Sequence, residues 1–311
     1  MRYDDFRRSD DIDDRRDDSG GGMGGGGGFG LPMGGGGLGI GTIIVLGLVG
    51  YAFGIDPRIL IGGAEILTGG GQAPTYQTDR RSAPAKKGAP TDEMGSMIAG
   101  ILGEIDDRWS EIFKASGRTY VGPKIVLFRN ATNGGRCGMA QSAMGPFYCP
   151  PEKKIFLDTG FFREVETRFH GCSGNACKFT AAYIIAHEAG HHIQNLLGII
   201  PRVTQLQQAA GSKAESNALQ VKIELQADCL SGVWTNREEK KRPGFLEAGD
   251  IDAALTTASA IGDDTLQRQA TGRVVPDSFT HGTSAQRKQW FMNGYQQGTV
   301  KACDTFKAGA L

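Results

Sequence analysis

Three of the five histidines in this chain of 311 residues fall within one short segment, and their spacing suits a metal ion. His187, Glu188 and His191 form the pattern H-E-x-x-H. In a helix, residues four positions apart lie about 40° apart around the axis, so the two imidazoles reach one Zn²⁺ ion together. Glu188 lies beside this pair and is placed to act on the water that zinc activates. The pattern predicts His187 and His191 as metal ligands and Glu188 as the general base.

A third ligand is predicted farther along the chain, because a catalytic zinc ion has three protein ligands and one open position. In the segment KIELQADCL, Glu224 is the candidate ligand and Asp228 follows four residues later. Asp228 is predicted to accept the N–H of a ligand histidine and so to fix its tautomer. The alternative is a surface pair of carboxylates, but like charges at this spacing repel each other unless a cation lies nearby.

These roles define a mechanism for the hydrolysis of a peptide bond. Zinc lowers the pKa of its water toward ~7, Glu188 passes a proton from that water to the leaving amine, and a further donor stabilises the oxyanion. His281, in SFTHGTSAQR, is the best remaining candidate for that donor, and its alternative role is that of a surface or capping histidine. His192 is expected to serve in packing or beside the ligands. A solvated polar face is disfavoured as an explanation of the motif, because the helix is otherwise apolar.

The spacing of apolar residues predicts the elements that position these side chains. The fold class is α+β, with a small sheet packed against several helices. Gly190 lowers the propensity of the ligand helix by about 1 kcal/mol, which a closely packed second helix would explain. The strand at 154–158 is expected at a sheet edge, where substrate binds by strand addition. Helices are predicted at 94–116, 161–169, 178–197, 215–234, 249–261 and 284–295, and strands at 123–130, 146–149 and 153–158.

The amino-terminal part of the chain has a different composition, since 18 of the 48 glycines fall in residues 1–54. Residues 1–37 are rich first in Asp and Arg and then in Gly, which predicts a disordered tail. Residues 38–55 carry no charge over 18 positions, which predicts a transmembrane anchor. Residues 56–92 are predicted to be a linker, and residues 93–311 to be the zinc metallopeptidase domain.

A signal peptide and a buried core helix are the alternatives for residues 38–55. The long preceding segment and the lack of a small-residue cleavage site disfavour a signal peptide, and a core helix is rarely flanked by a glycine tract. The arginines upstream predict a single-pass protein of the inner (cytoplasmic) membrane, with a cytoplasmic amino terminus and a periplasmic, extracytoplasmic domain. Glycines in the anchor would allow helix pairing in the lipid bilayer and so an oligomer.

Cysteine placement and net charge restrict the function further. All six cysteines follow the apolar run, and their even number predicts disulfides in an oxidising compartment. Other pairings and free buried thiols are the alternatives to pairing by proximity. The 34 basic and 34 acidic residues balance, which argues against a partner nucleic acid. Proximity predicts the pairs Cys137–Cys149, Cys172–Cys177 and Cys229–Cys303.

The chain also resembles a known family along nearly its whole length. The resemblance rests on HEAGHHIQNLLG, ELQADCLSGVW, SAMGPFYCP, CDTF, the stretch from IDAALTTASA to SAQRKQWF, and the glycine-rich anchor. These segments are similar to the bacterial family of predicted neutral zinc metallopeptidases, the YpfJ-type membrane proteins. The resemblance implies a zincin fold like that of a compact gluzincin. It carries the family's HExxH onto His187, Glu188 and His191 and its ExxxD onto Glu224 and Asp228.

Two other classes of function stay open beside a membrane-anchored zinc peptidase that acts on a peptide or protein substrate. One is an anchored binding module in which zinc stabilises the fold without catalysis. The other is a membrane scaffold that assembles through its anchor. Retention of zinc together with loss of cleavage in a Glu188→Gln variant separates the enzyme from both.

Overall fold

The computed structural model describes residues 1–17, 86–87, 90–167, 172–260, 262–307 and 309. Met1–Asp17 and the chain from Ala85 onward belong to one compact unit. The predicted anchor at 38–55, the glycine-rich part of the tail and most of the predicted linker lie outside the described residues. Within the described ranges, every helix is too short or too polar to cross a membrane.

Helices form most of the described structure and confirm the α+β class. The predicted helices are observed with shifted ends, and two further helices, at 199–209 and 263–271, were not predicted. The first long helix begins after Asp92, whose side chain accepts a hydrogen bond from the backbone N–H of Gly95. The helices are α1 (Glu93–Ala115), α2 (Phe161–Thr167), α3 (Ala176–Leu196), α4 (Ile199–Ala209), α5 (Lys213–Lys241), α6 (Asp250–Ala260), α7 (Asp263–Thr271) and α8 (Ser284–Gln297).

A mixed five-stranded sheet lies beside the helices, with strand order β2-β1-β3-β7-β6. The central strands β1, β3 and β7 are parallel, whereas β2 and β6 run antiparallel to their neighbours. A separate hairpin pairs β4 with β5. The strands are β1 (Ile12–Asp14), β2 (Lys86–Lys87), β3 (Lys124–Phe128), β4 (Ala131–Asn133), β5 (Met139–Gln141), β6 (Phe147–Cys149) and β7 (Lys154–Asp158).

The prediction that residues 154–158 form an edge strand is wrong. β7 pairs with β3 on one side and with β6 on the other. Its three consecutive apolar residues, Ile155, Phe156 and Leu157, are all buried. A continuous apolar run of this kind is typical of a strand that is covered on both faces. Among the described strands, β6 forms the edge on this side of the sheet.

The prediction of disorder for residues 1–18 is wrong for Met1–Asp17. Ile12 of β1 pairs in parallel register with Ile125 of β3, and the side chains of Met1, Phe6 and Ile12 are buried. Composition misled the prediction because three widely spaced apolar residues carry the packing. The abundant charges pair with one another, as Arg16 does with the carboxylates of Asp14 and Asp92.

Close packing of α3 on α5 explains the glycine inside the ligand helix. A Cβ atom on Gly190 would lie 3.1 Å from the Cα atom and from the carbonyl oxygen of Ala227. The prediction that another helix backbone approaches Gly190 is confirmed. The side chains around this contact are buried, including Ala189 on α3 and Leu230 on α5. The two helices are therefore held at a fixed and short separation.

Three disulfides join elements across this fold. The first joins the loop of the β4–β5 hairpin to the end of β6, and the second joins the segment before α3 to the first turn of that helix. The third ties α5 to the carboxyl-terminal segment and closes a long loop, so it restricts the unfolded chain most. These pairs are the ones that proximity predicts: Cys137–Cys149, Cys172–Cys177 and Cys229–Cys303.

Candidate metal centre

Helix α3 presents the H-E-x-x-H motif as one buried face. His187 and Glu188 are 8% and 7% exposed, so their polar atoms are largely withdrawn from solvent. The rings of His187 and His191 lie edge to face with centroids 4.9 Å apart. Helical spacing alone accounts for this proximity, because the two residues are one turn apart.

Helix α5 brings Glu224 to the same point. Its Oε2 atom lies 3.2 Å from His187 Nε2 and 3.4 Å from His191 Nε2. One ligand atom from each of these three residues lies within 4.8 Å of the other two. The second carboxylate oxygen of Glu224 accepts a hydrogen bond of 2.7 Å from Gln220, which fixes the rotation of the carboxylate.

Hydrogen bonds on the far side of each imidazole select the nitrogen that faces Glu224. His187 Nδ1 lies 2.9 Å from Asp228 Oδ1, and His191 Nδ1 lies 2.9 Å from Gln194 Oε1. Both partners are oxygen acceptors, so each Nδ1 carries a proton, and each Nε2 is the nitrogen that can give its lone pair to a metal ion. Two imidazole nitrogens and one carboxylate oxygen form the donor set typical of catalytic zinc, and the residues therefore fit the ion.

Asp228 is the centre of a buried polar network behind His187. Its carboxylate also accepts a hydrogen bond of 2.6 Å from the hydroxyl of Tyr183 and bonds of 2.9 and 3.0 Å from the guanidinium of Arg287 on α8. Burial alone would raise the pKa of Asp228, but the charges of Arg287 and His187 hold it well below its usual range. The carboxylate stays ionised, and it orients His187 while Arg287 balances its charge.

The carboxylates give the ligand cluster a strong attraction for a cation. Burial lowers the pKa of His187, yet Asp228 and Glu224 outweigh it and raise that pKa to about 10. Burial likewise opposes ionisation of Glu224, but the neighbouring charge of His191 and the hydrogen bonds from both histidines lower its pKa. Zn²⁺ would compete with protons for the two Nε2 lone pairs, so metal affinity falls at low pH.

Glu188 lies next to the three candidate ligands, but its carboxylate is not part of the group that could hold the ion. Burial raises the pKa of its carboxyl group, although the charges of His191 and His187 oppose the shift. The backbone N–H of Tyr148 on β6 also lowers this pKa, so it lies near the carboxylate. A carboxylate whose pKa is raised toward neutrality is suited to take and return a proton.

His281 lies on the loop before α8, outside the group of three ligands. Its side chain is half exposed, and Nδ1 lies 3.3 Å from Asp263 Oδ1. Burial lowers the pKa of His281, but the hydrogen bond to Asp263 and the charge of Glu224 raise it overall. Asp263 also accepts hydrogen bonds from the backbone N–H groups of residues 280, 281 and 282, so one carboxylate holds the whole loop.

Several residues of the site were not predicted from the sequence. Burial of Arg287 could have been predicted, because it lies three and four positions before Trp290 and Phe291 on the apolar face of α8. An arginine at such a position requires a buried partner. Gln194 and Gln220 lie three and four residues from His191 and Glu224 on the same helices, so helical spacing could have indicated them. Asp263 carried no comparable signal, since its role depends on contacts with a loop 17 to 19 residues farther along the chain.

Comparisons with known proteins agree with this geometry. Residues 1–306 match the model of a family described as "Putative neutral zinc metallopeptidase". The chain is 45% identical to the protein YpfJ of Escherichia coli K12 over 308 residues, which are 98% of this chain and 99% of that protein. It is 46% identical to Rv2575 of Mycobacterium tuberculosis H37Rv over 201 residues, or 62% of this chain and 65% of that protein. No solved structure matches the chain significantly.

Proposed function

Because the chain belongs to this zinc metallopeptidase family, we propose that it is a zinc-dependent peptidase with His187, His191 and Glu224 as metal ligands. The convergence of one ligand atom from each of these residues within 4.8 Å carries the proposal. The orientation of both histidines by Nδ1 hydrogen bonds supports it, because the lone pairs then face the same point. The proposal includes a zincin-like fold of the glutamate-ligand type.

Glu188 is the general base in the proposed reaction. When bound, zinc lowers the pKa of a water molecule toward ~7 and polarises the substrate carbonyl. Glu188 takes the proton of the attacking water and delivers it to the leaving amine, so the peptide bond breaks as the new carbon–oxygen bond forms.

His281 is proposed as the donor to the oxyanion. Asp263 orients its imidazole, and the hydrogen bond to Asp263 and the charge of Glu224 raise the pKa of that imidazole. A positively charged donor beside the ligand cluster would stabilise the charge that develops on the carbonyl oxygen. Substrate is proposed to bind in extended form along β6, because β6 rather than β7 offers an edge of the described sheet.

The proposed setting is extracytoplasmic, with the catalytic domain attached to the bilayer through residues 38–55. The three disulfides support an oxidising compartment, since such bonds are rare in the cytosol. Proposed partners are a peptide or protein substrate and the lipid bilayer. Pairing of the anchor through its glycines is proposed as the route to an oligomer.

Two substitutions in the full-length chain test the function. Glu188→Gln is expected to retain zinc and to lose cleavage of a peptide library by at least about a hundredfold, because only the proton acceptor is removed. Glu224→Ala is expected to lose zinc as well, because a ligand is removed. Glu215→Gln on the exposed start of α5 is the matched control, and it should leave both properties unchanged.

The outcomes separate the enzyme from the other classes. A wild-type protein that binds zinc stoichiometrically and cleaves no member of the library would contradict the peptidase and support the zinc-stabilised binding module. Full zinc retention in Glu224→Ala would contradict the ligand set. Equal cleavage by wild type and Glu188→Gln would show that the observed cleavage comes from a contaminant or from another site.

A further inference from the structure

Tyr148 on the edge strand β6 is held by two side chains of the catalytic helix. Its hydroxyl lies 2.9 Å from His192 Nδ1, and it accepts a hydrogen bond of 2.9 Å from Asn195 Nδ2. The same amide of Asn195 donates to the carbonyl oxygen of Pro150, just beyond β6, at 3.2 Å. The side chain of Tyr148 is 8% exposed, so these bonds are formed away from bulk water.

The tautomer of His192 is fixed by its second partner. His192 Nε2 lies 2.7 Å from the carbonyl oxygen of Val121, which accepts only. Nε2 therefore carries the proton, Nδ1 is the acceptor, and the hydroxyl of Tyr148 donates to it. His192 is fully buried, and every polar atom in this chain of contacts has a partner. Such a satisfied network holds one arrangement, because any shift leaves a buried group unpaired.

The residues that hold β6 lie on the same stripe of α3 as the general base. Glu188, His192 and Asn195 are spaced at i, i+4 and i+7, so they follow one another along a single helix face. The hydroxyl of Tyr148 contacts His192 and Asn195, and its backbone N–H lies near Glu188. One residue of the edge strand is thus attached to two successive turns of the catalytic helix, directly after the turn that carries Glu188.

We infer that Tyr148, with His192 and Asn195, is a positioning unit that sets the distance between the edge strand β6 and Glu188. This inference rests on the proposed function for its catalytic consequence. Glu188 and the substrate edge belong to different elements, and a displacement of about 1 Å between reacting groups can lower a rate about a hundredfold. The Cys137–Cys149 disulfide also restrains β6, but it joins the residue after Tyr148 to the loop of the β4–β5 hairpin and not to α3.

Tyr120 provides a matched control for Tyr148. Both rings pack edge to face on the imidazole of His192, with centroids at 6.1 Å for Tyr120 and 5.4 Å for Tyr148. The hydroxyl of Tyr120 donates to Asp106 on α1 instead of to the catalytic helix. Tyr148→Phe removes the hydroxyl that bonds His192 and Asn195, and Tyr120→Phe removes the hydroxyl that bonds Asp106. Both substitutions preserve the ring, so the two variants differ mainly in the element that is released.

The experiment compares Tyr148→Phe and Tyr120→Phe in the zinc-loaded full-length protein under non-reducing conditions. Zinc content is expected to be unchanged in both, and their urea midpoints are expected to fall by similar amounts. Tyr148→Phe is expected to lower kcat at least about tenfold and to speed amide hydrogen exchange at 147–149, whereas Tyr120→Phe leaves kcat within about twofold and that exchange unchanged.

Substitutions of His192 provide a rescue test. In His192→Asn the side-chain oxygen replaces Nδ1 as an acceptor for Tyr148, whereas in His192→Gln the amide reaches the position of Nε2 and leaves Tyr148 without its acceptor. The Asn variant is therefore expected to keep more of the wild-type kcat than the Gln variant. The reverse order at equal zinc content would overturn the inferred role of His192.

The outcomes of these experiments test the positioning unit and the proposed function separately. Equal kcat and equal hydrogen exchange in the two Phe variants would overturn the positioning unit while leaving the peptidase in place. A wild-type protein that cleaves nothing would refute the proposed function, and hydrogen exchange at 147–149 would still decide whether Tyr148 fixes β6. Loss of zinc in Tyr148→Phe would overturn the inference in a different way, because the residue would then support the metal ligands.

Discussion

Gly103→Ala on α1 tests whether the first seventeen residues are part of the fold. Alanine is the better helix former, and in the interior of an exposed helix this change stabilises a protein by about 1 kcal/mol. If Met1–Asp17 were a disordered tail, the Gly103→Ala variant would be more stable than the wild type by that amount. In the structure, a Cβ atom on Gly103 would lie 2.9 Å from the carbonyl carbon of Arg7 and closer still to its oxygen.

The magnitude follows from what must move to admit this atom. Ordinary Cβ contacts begin near 3.4 Å, so the Arg7 backbone must retreat by more than about half an ångström. That movement strains the hydrogen bonds from Arg7 N to Glu104 and from Ser9 N to the carbonyl oxygen of Ala99. Overpacking costs about 1–3 kcal/mol and each weakened hydrogen bond about 1 kcal/mol. With two weakened hydrogen bonds added and the gain in helix propensity subtracted, Gly103→Ala is expected to destabilise the protein by about 2–4 kcal/mol.

Urea unfolding monitored by the fluorescence of the buried Trp109 and Trp234 measures this change. Gly100→Ala is the control on the same helix, because its new Cβ would face the side chain of Phe6 at 3.1 Å, and a side chain yields more easily than a backbone. Gly100→Ala should lower the free energy of unfolding clearly less than Gly103→Ala does. In a chain that lacks residues 1–17, Gly103→Ala should become stabilising. A stabilised Gly103→Ala in the full-length protein would refute docking of the amino-terminal segment.

Two further predictions concern buried carboxylates. Burial and the charge of Glu104 raise the pKa of Glu238 from 4.5 to about 7, so the native state keeps a proton that the unfolded state releases, and stability falls as pH rises from 4.5 to 7. Glu238→Gln should remove this pH-dependent loss of stability, which amounts to at most about 3 kcal/mol. Unfolding free energies measured across that pH range test this, and an unchanged pH dependence would contradict the raised pKa of Glu238. Asp228→Asn should weaken zinc binding about 10–100-fold in competition with a chelator, because His187 loses its acceptor. Asp252→Asn on the exposed face of α6 should leave zinc affinity unchanged. Equal zinc affinities in the two variants would exclude the orienting role of Asp228.

The sequence was sufficient for the helices that carry the metal ligands. The H-E-x-x-H spacing requires a helix, and the apolar stripe around Phe179 and Tyr183 places that helix in the core. The close approach at Gly190 also followed from local reasoning, since glycine inside a buried helix needs a packing cause. Local patterns of this kind are reliable because the residues that interact are close in sequence.

The errors arose where structure depends on partners that are distant in the chain. β1 holds one buried apolar residue, Ile12, and its position is set by β3 more than a hundred residues later. Composition averages over the segment and misses such a contact. The edge position predicted for residues 154–158 was wrong for the same reason, because strand neighbours are not determined by sequence order. Arg287 belongs to the site only because α8 packs against α5 and α3, where it contacts Asp228 and Tyr183.

The parallel pairing of β1 with β3 has a consequence for membrane topology. Strands exchange backbone hydrogen bonds at a separation of about 5 Å, so a bilayer with a hydrocarbon core of about 30 Å cannot lie between them. The predicted topology, in which the chain crosses the membrane once and leaves a cytoplasmic amino terminus, would place these strands on opposite sides, so the pairing contradicts that prediction. Whichever compartment holds the candidate metal ligands must also hold Met1–Asp17, and protease protection of a label placed in that segment reports the compartment in which those ligands lie.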